Sequence, residues 1–162
     1  MGLTDLPVSV ADVRHAAQLL DGVIETTPLA HSRALSRMLG SEVYLKCENL
    51  QRAGSFKVRG AYVRMAQLSD EEKRRGVVAA SAGNHAQGVA YACRTLGVKG
   101  RIYVPNQTPK QKRDRIAYHG RDAVEIIVTG DSRNGRRSRE RIVPAVPESA
   151  ATPGLRLRPP SM

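Results

Sequence analysis

Lys57 stands where a lysine could do covalent chemistry. It follows a glycine-bearing loop and a Ser-Phe pair in the string SFKVRGA (residues 55–61), at the expected start of a helix. A lysine amine partly removed from water is a nucleophile toward an aldehyde carbonyl, and can hold a cofactor as a Schiff base. A second string, SAGNHAQG (residues 81–88), follows the apolar run VVAA and opens another helix. A turn of this kind leaves backbone N–H groups and the positive end of the helix dipole facing outward, which suits an anion. Gly83 lets a ligand come close to that backbone. Each residue taken singly also has a plain reading: Lys57 as a solvated helix start, Asn84 as a cap, His85 as a loop histidine.

These strings need elements to hold them. Val13, Ala16, Ala17 and Leu20 recur at helical spacing, which predicts an amphipathic helix over Val10–Leu20 with Ser9 as cap and Gly22 as stop. A second helix is expected over residues 32–39, closed by Gly40, and a strand over residues 42–46, where EVYLK alternates. Residues 48–54 form the loop ahead of a helix carrying Lys57, Val58, Ala61, Met65 and Leu68. From residue 76 onward strand and helix alternate: VVAAS, a helix over Asn84–Leu96 closed by Gly97, RIYVP, a helix over residues 109–119 closed by Gly120, and AVEIIV. Such alternation predicts an α/β fold with an open, mostly parallel sheet and crossover helices. Ligands in such sheets bind beyond the carboxyl ends of the strands, where SAGNH falls.

Composition narrows the function classes. The 162 residues allow one domain with a real core and are short for a two-domain enzyme. A net charge of +11 raises nucleic acid as a partner, yet one Phe, no Trp and no nucleic-acid motif accompany it, so an ordinary basic protein is favoured. Cys47 and Cys93 lack metal-ligand spacing and read as reduced, buried thiols; no metal is expected. Early acids at Asp5 and Asp12 and the lack of a long apolar run argue against a signal peptide or membrane span, and predict a cytoplasmic protein.

The string NLQRAGSFKVRGA (residues 49–61), preceded by Lys46, Cys47 and Glu48, resembles the cofactor-attachment segment of fold-type II pyridoxal-phosphate enzymes, in the branch of the serine/threonine dehydratases. The resemblance implies that Lys57 binds pyridoxal 5'-phosphate and moves the substrate's α proton, with Phe56 and Asn84 beside the cofactor and Asn84 against its ring oxygen. It implies too that Ser81, Ala82, Gly83, Asn84 and His85 form the loop for the substrate carboxylate. Ala53 is a departure, since relatives often carry a threonine there. Ala82 separates neighbouring activities. Racemases of this family usually place a serine before the glycine as the acid or base, and an alanine exchanges no proton. The implied reaction is elimination of water from L-threonine, giving 2-oxobutanoate and ammonia, with a string that looks most like the catabolic threonine dehydratases. The alternatives are a serine dehydratase or racemase relative acting on L-serine, and a non-catalytic binding remnant. A homo-oligomer is left open.

The resemblance runs from about residue 19 to residue 131, roughly the first third of such an enzyme. The family's glycine-rich phosphate cradle and its partner for the pyridine nitrogen belong farther along, and no Gly-Gly pair occurs in this chain. Residues 1–130 are thus expected to be the N-terminal part of the dehydratase fold. Residues 131–162 change character, with seven Arg, no Lys, no aromatic residue and five of the nine prolines (Pro144, Pro147, Pro153, Pro159, Pro160). They show no helical or strand period, and read as a disordered basic tail or the product of a shifted reading frame. Little or no activity is expected of such a fragment alone, because positioning and preorganisation supply most of a rate enhancement.

Overall fold

A computed structural model describes residues 8–130 and 142–145 of the chain. In order, the elements are α1 (Val10–Leu20), β1 (Leu29–His31), α2 (Arg33–Leu39), β2 (Tyr44–Lys46), α3 (Lys57–Ala66), α4 (Asp70–Arg75), β3 (Val77–Ala80), α5 (Asn84–Leu96), β4 (Gly100–Pro105), α6 (Lys110–Gly120), β5 (Val124–Thr129) and β6 (Ile142–Pro144). α1 starts where the spacing predicts, because the Asp12 N–H donates to the Ser9 hydroxyl while the Asp12 carboxylate accepts the Ser9 N–H. Gly40 ends α2 and Gly97 ends α5, both in the left-handed conformation that glycine adopts without steric penalty.

β3, β4 and β5 are parallel in the order β5-β4-β3, and β6 adds to the far side of β3. The sheet is therefore mostly parallel, as the alternation predicts. One face carries the core: Val77, Ala79, Ile102 and Val104 pack with Met65 of α3, Val89 and Cys93 of α5 and Ile116 of α6. Burial pushes the Cys93 thiol up to about 12, so it stays protonated. Gly100 makes room for that sulfur, since a Cβ there would lie 2.6 Å from Cys93 Sγ. Cys47 departs from the expectation of a buried thiol. It is only half-buried, because it follows β2 and lies away from the helix layer. On the opposite face of the sheet, Arg101 and Glu125 pair at 3.6 Å and are exposed, while Val78 beside them is half-buried.

β6 corrects the expectation that the whole tail lacks regular structure. Ile142, Val143 and Pro144 pair antiparallel with Ala79, Val78 and Val77, and Ile142 packs onto the core. The outer edge of β3 offers unpaired backbone groups, and two β-branched residues satisfy them. Pro144 falls at the end of an edge strand, where its missing N–H is tolerated. The disorder expected of residues 131–141 and 146–162 lies outside the described residues. Among the described residues, no helix is long and apolar enough to cross a membrane, and no group of His, Cys, Asp and Glu could hold a metal ion.

Candidate active site

Lys57 is the first residue of α3 and half-buried, with Nζ 5.8 Å from the centre of the Phe56 ring. Phe56 itself is 61% exposed. Three sets of contacts hold the loop that delivers this lysine. Gln51 is buried, and its amide bonds the backbone of Glu25 in both directions at 2.9 Å. Ala53, Val58 and Tyr91 cluster with Val23 and Ile24, and the Tyr91 hydroxyl donates to the Val23 carbonyl at 2.8 Å. Ala53 is thus a core position, where a methyl brings no hydroxyl in need of a partner. Finally, Glu48 accepts two hydrogen bonds from Arg59, at 2.8 and 2.7 Å, and one from the Thr27 hydroxyl at 2.5 Å. The Arg59 guanidinium holds the Glu48 carboxyl at about 2, well below the usual carboxylate range. Arg59 stands two residues beyond Lys57, so this clamp fixes the first turn of α3.

The second string forms the connection from β3 to α5. The Ser81 N–H donates to the Tyr103 carbonyl at 3.2 Å, anchoring the loop to β4. The Gly83 N–H donates to the Ser81 hydroxyl at 3.2 Å. Gly83 is the N-cap of α5, and no side chain caps this helix. Asn84 is therefore not the cap that the plain reading allows. It is the first residue of the helix and exposed, which leaves its side chain available to a ligand. Ser81, Ala82 and Gly83 are half-buried and His85 is buried.

Gly88 joins the two strings. A Cβ at Gly88 would lie 3.1 Å from the carbonyl carbon and oxygen of Lys57 and from Cα of Val58, so α5 rests directly on the backbone of the lysine. Asn84 precedes Gly88 by four residues and projects from the same side of α5, one turn nearer the loop. Sequence reasoning assigned no role to Gly88, although a glycine inside a helical pattern signals close packing. The Glu48–Arg59 clamp has no local signal at all, because it spans a loop.

The residues present fit one side of a pyridoxal-phosphate group. The Ser55 hydroxyl, two residues ahead of Lys57, is buried and has no hydrogen-bond partner among the described residues. A buried hydroxyl left unpaired is costly and suits a ligand atom. Lys57, Ser55 and Asn84 are the groups that would hold the cofactor from this side.

The model of a family described as pyridoxal-phosphate dependent enzyme matches residues 20–160. The chain belongs to this family. Among curated members, it is similar to the biosynthetic L-threonine dehydratase IlvA of Mycobacterium bovis, 57% identical over 125 residues that make up 77% of this chain and 29% of the relative. The Mycobacterium leprae protein of the same name is 51% identical over 154 residues, 95% of this chain and 35% of the relative. Of solved structures, maize serine racemase matches with a TM-score of 0.72 at 32% identity, over 78% of this chain and 38% of that one. The chain spans about a third of the length of the curated relatives it matches. Their name is biosynthetic, against the catabolic type that the site string suggests. The two types differ in metabolic setting, on which residues 49–61 and 81–88 carry no information.

Proposed function

We propose that this chain carries the lysine and carboxylate-loop part of an L-threonine dehydratase, an ammonia-lyase that eliminates water from L-threonine and releases 2-oxobutanoate and ammonia. The observation that supports it most is the seating of α5 on the Lys57 backbone at Gly88, which sets an uncapped helix start beside a half-buried amine. Pyridoxal phosphate, when bound, supplies the electron sink for the charge left at the substrate's Cα. Lys57 Nζ takes the α proton, and the loop of residues 81–85 receives the carboxylate through the Ala82 and Asn84 amides, since those of Ser81 and Gly83 are bonded within the fold. Asn84 and Phe56 would hold the cofactor beside Lys57, Asn84 by hydrogen-bonding its ring oxygen. Ala82 brings no acid or base to the face opposite the lysine, which favours elimination over the racemisation named for the maize structure. His85 shapes the loop from its buried position.

L-Serine is a second substrate of the same class, and a cytoplasmic location goes with the reading. For residues 131–162 the arginine- and proline-rich composition suggests a displaced reading frame, whereas the family match through residue 160 and the pairing of β6 with β3 weigh against it; sequencing the gene beyond codon 130 decides between the two. Alone, the chain turns over little or no threonine, since it covers about a third of its relatives' length. Titration of the chain and of Lys57→Ala with pyridoxal phosphate, followed by visible absorbance, is the direct test. A saturable band present only with Lys57 supports the reading, and weak, identical labelling of both proteins refutes it.

A further inference from the structure

We propose that β5 is the interface between two copies of this chain, which join edge to edge as antiparallel strands about a two-fold axis. The sheet order β5-β4-β3-β6 leaves two edges. β6 is three residues long and ends in Pro144, which blunts it as a template for a further strand. β5 is six residues long, VEIIVT, with no Pro, Gly or Lys, and it pairs with β4 without a bulge from Val124 opposite Gly100 to Thr129 opposite Pro105. Edges of soluble sheets are normally guarded by such a residue, by a bulge or by a covering element. Among the described residues β5 pairs with β4 alone, and Val128 is 46% exposed. One hydrogen bond fixes the direction of its free backbone groups. The Asn106 N–H donates to the Thr129 carbonyl at 2.9 Å, so the polar groups of Thr129 face β4. These groups alternate in direction along a strand, so those of Glu125 and Ile127 also face β4, and those of Val124, Ile126 and Val128 face outward. Side chains alternate as well: Val124 and Ile126 pack against the core, whereas Glu125 is exposed on the other face beside Arg101.

A second copy matches this edge in hydrogen bonding, in face and in charge. Turned about an axis perpendicular to the sheet, β5 of the second copy runs antiparallel and keeps its helices on the same side. With Ile126 opposite Ile126 of the second copy, Val124 lies opposite Val128 at both ends, and each outward N–H faces an outward carbonyl. Core-side residues then adjoin core-side residues across the joint. Glu125 lies opposite Ile127 of the second copy, so the two carboxylates are not opposed, and each keeps its own Arg101 at 3.6 Å. Main-chain hydrogen bonds supply the affinity in strand addition of this kind. One two-fold contact uses up the edge, so assembly closes at a dimer. β4 stands between β5 and β3 with its loop, which keeps the joint apart from the Lys57 site and makes it independent of the dehydratase reading.

The test is size-exclusion chromatography with light scattering of the full chain over a dilution series under reducing conditions, with amide hydrogen exchange followed residue by residue. A concentration-dependent dimer is expected, in which the amides of Val124, Ile126 and Val128 exchange about tenfold or more slowly than in the dilute monomer. Val128→Pro deletes one outward N–H at each end of the joint and no bond to β4, a change that an edge strand tolerates. Checked as folded by circular dichroism, it should raise the dimer dissociation constant by about tenfold or more, whereas Val128→Thr, which keeps the N–H and the branched shape, should leave it unchanged. If Val128→Pro does not fold, exchange at the same three amides of the unsubstituted chain decides alone. The proposal is overturned by a chain that is monomeric at every concentration, by a dimer that survives Val128→Pro or leaves the three amides unprotected, and by oligomers that grow beyond the dimer.

Discussion

Gly88 decides how closely α5 approaches the lysine. The atoms around a Cβ placed there are all backbone, at 3.1 Å, so nothing flexible can give way. Gly88→Ala should part α3 from α5 and cost about 1–3 kcal/mol, typical of overpacking. Gly60, inside α3 with nothing within 4 Å, is the contrast. Gly60→Ala should stabilise by about 0.5–1 kcal/mol through helix propensity, and urea denaturation of both variants reads the difference in sign. Glu48 gives a second expectation at this scale. Its carboxyl is lowered to about 2 by Arg59, so the folded state binds its proton less readily than the unfolded chain. The stability it adds is complete above about pH 4.5 and disappears as pH falls to about 2. The urea midpoint of Glu48→Gln should therefore lie below that of the parent at neutral pH, and the gap should close through this acid range. Of these residues Lys57 is legible as a candidate from its string, but the Glu48 partner is not. Residues 48 and 59 meet only once the loop has closed.

Among the elements, α1 and α5 match their sequence expectations because cap and apolar period agree. α4 escapes that reading. Its residues DEEKRR carry no apolar period, and only the reciprocal cap of Ser69 and Glu72 announces it. β1 is too short to alternate, and exists because β2 lies beside it. β6 is the same case: Ile142 and Val143 have no pattern around them, and the open edge of β3 recruits them. Ile142→Asp should then lower stability by about 2 kcal/mol, by setting a charge against the core. An unchanged denaturation midpoint would show that the strand contributes nothing.

Across the whole molecule, burial is uneven. The layer of α3, α5 and α6 on β3–β5 holds nearly every buried side chain, whereas residues 8–50 hold Leu20 and Thr27. Amide hydrogen exchange should follow that division, with β3, β4 and α5 slowest and the β1–β2 amides exchanging orders of magnitude sooner. Uniform protection would mean that the N-terminal region is covered in solution. The sequence by itself determined the strand and helix alternation, the lysine behind its glycine loop and the turn after VVAA that opens α5, because each is written in neighbouring residues as a period, a cap or a turn. Tertiary structure alone decided that α5 rests on Lys57 at Gly88, that Glu48 reaches Arg59, and that the ribbon and α2 have no core of their own. Those facts depend on which distant surfaces meet, and local spacing carries no information about that.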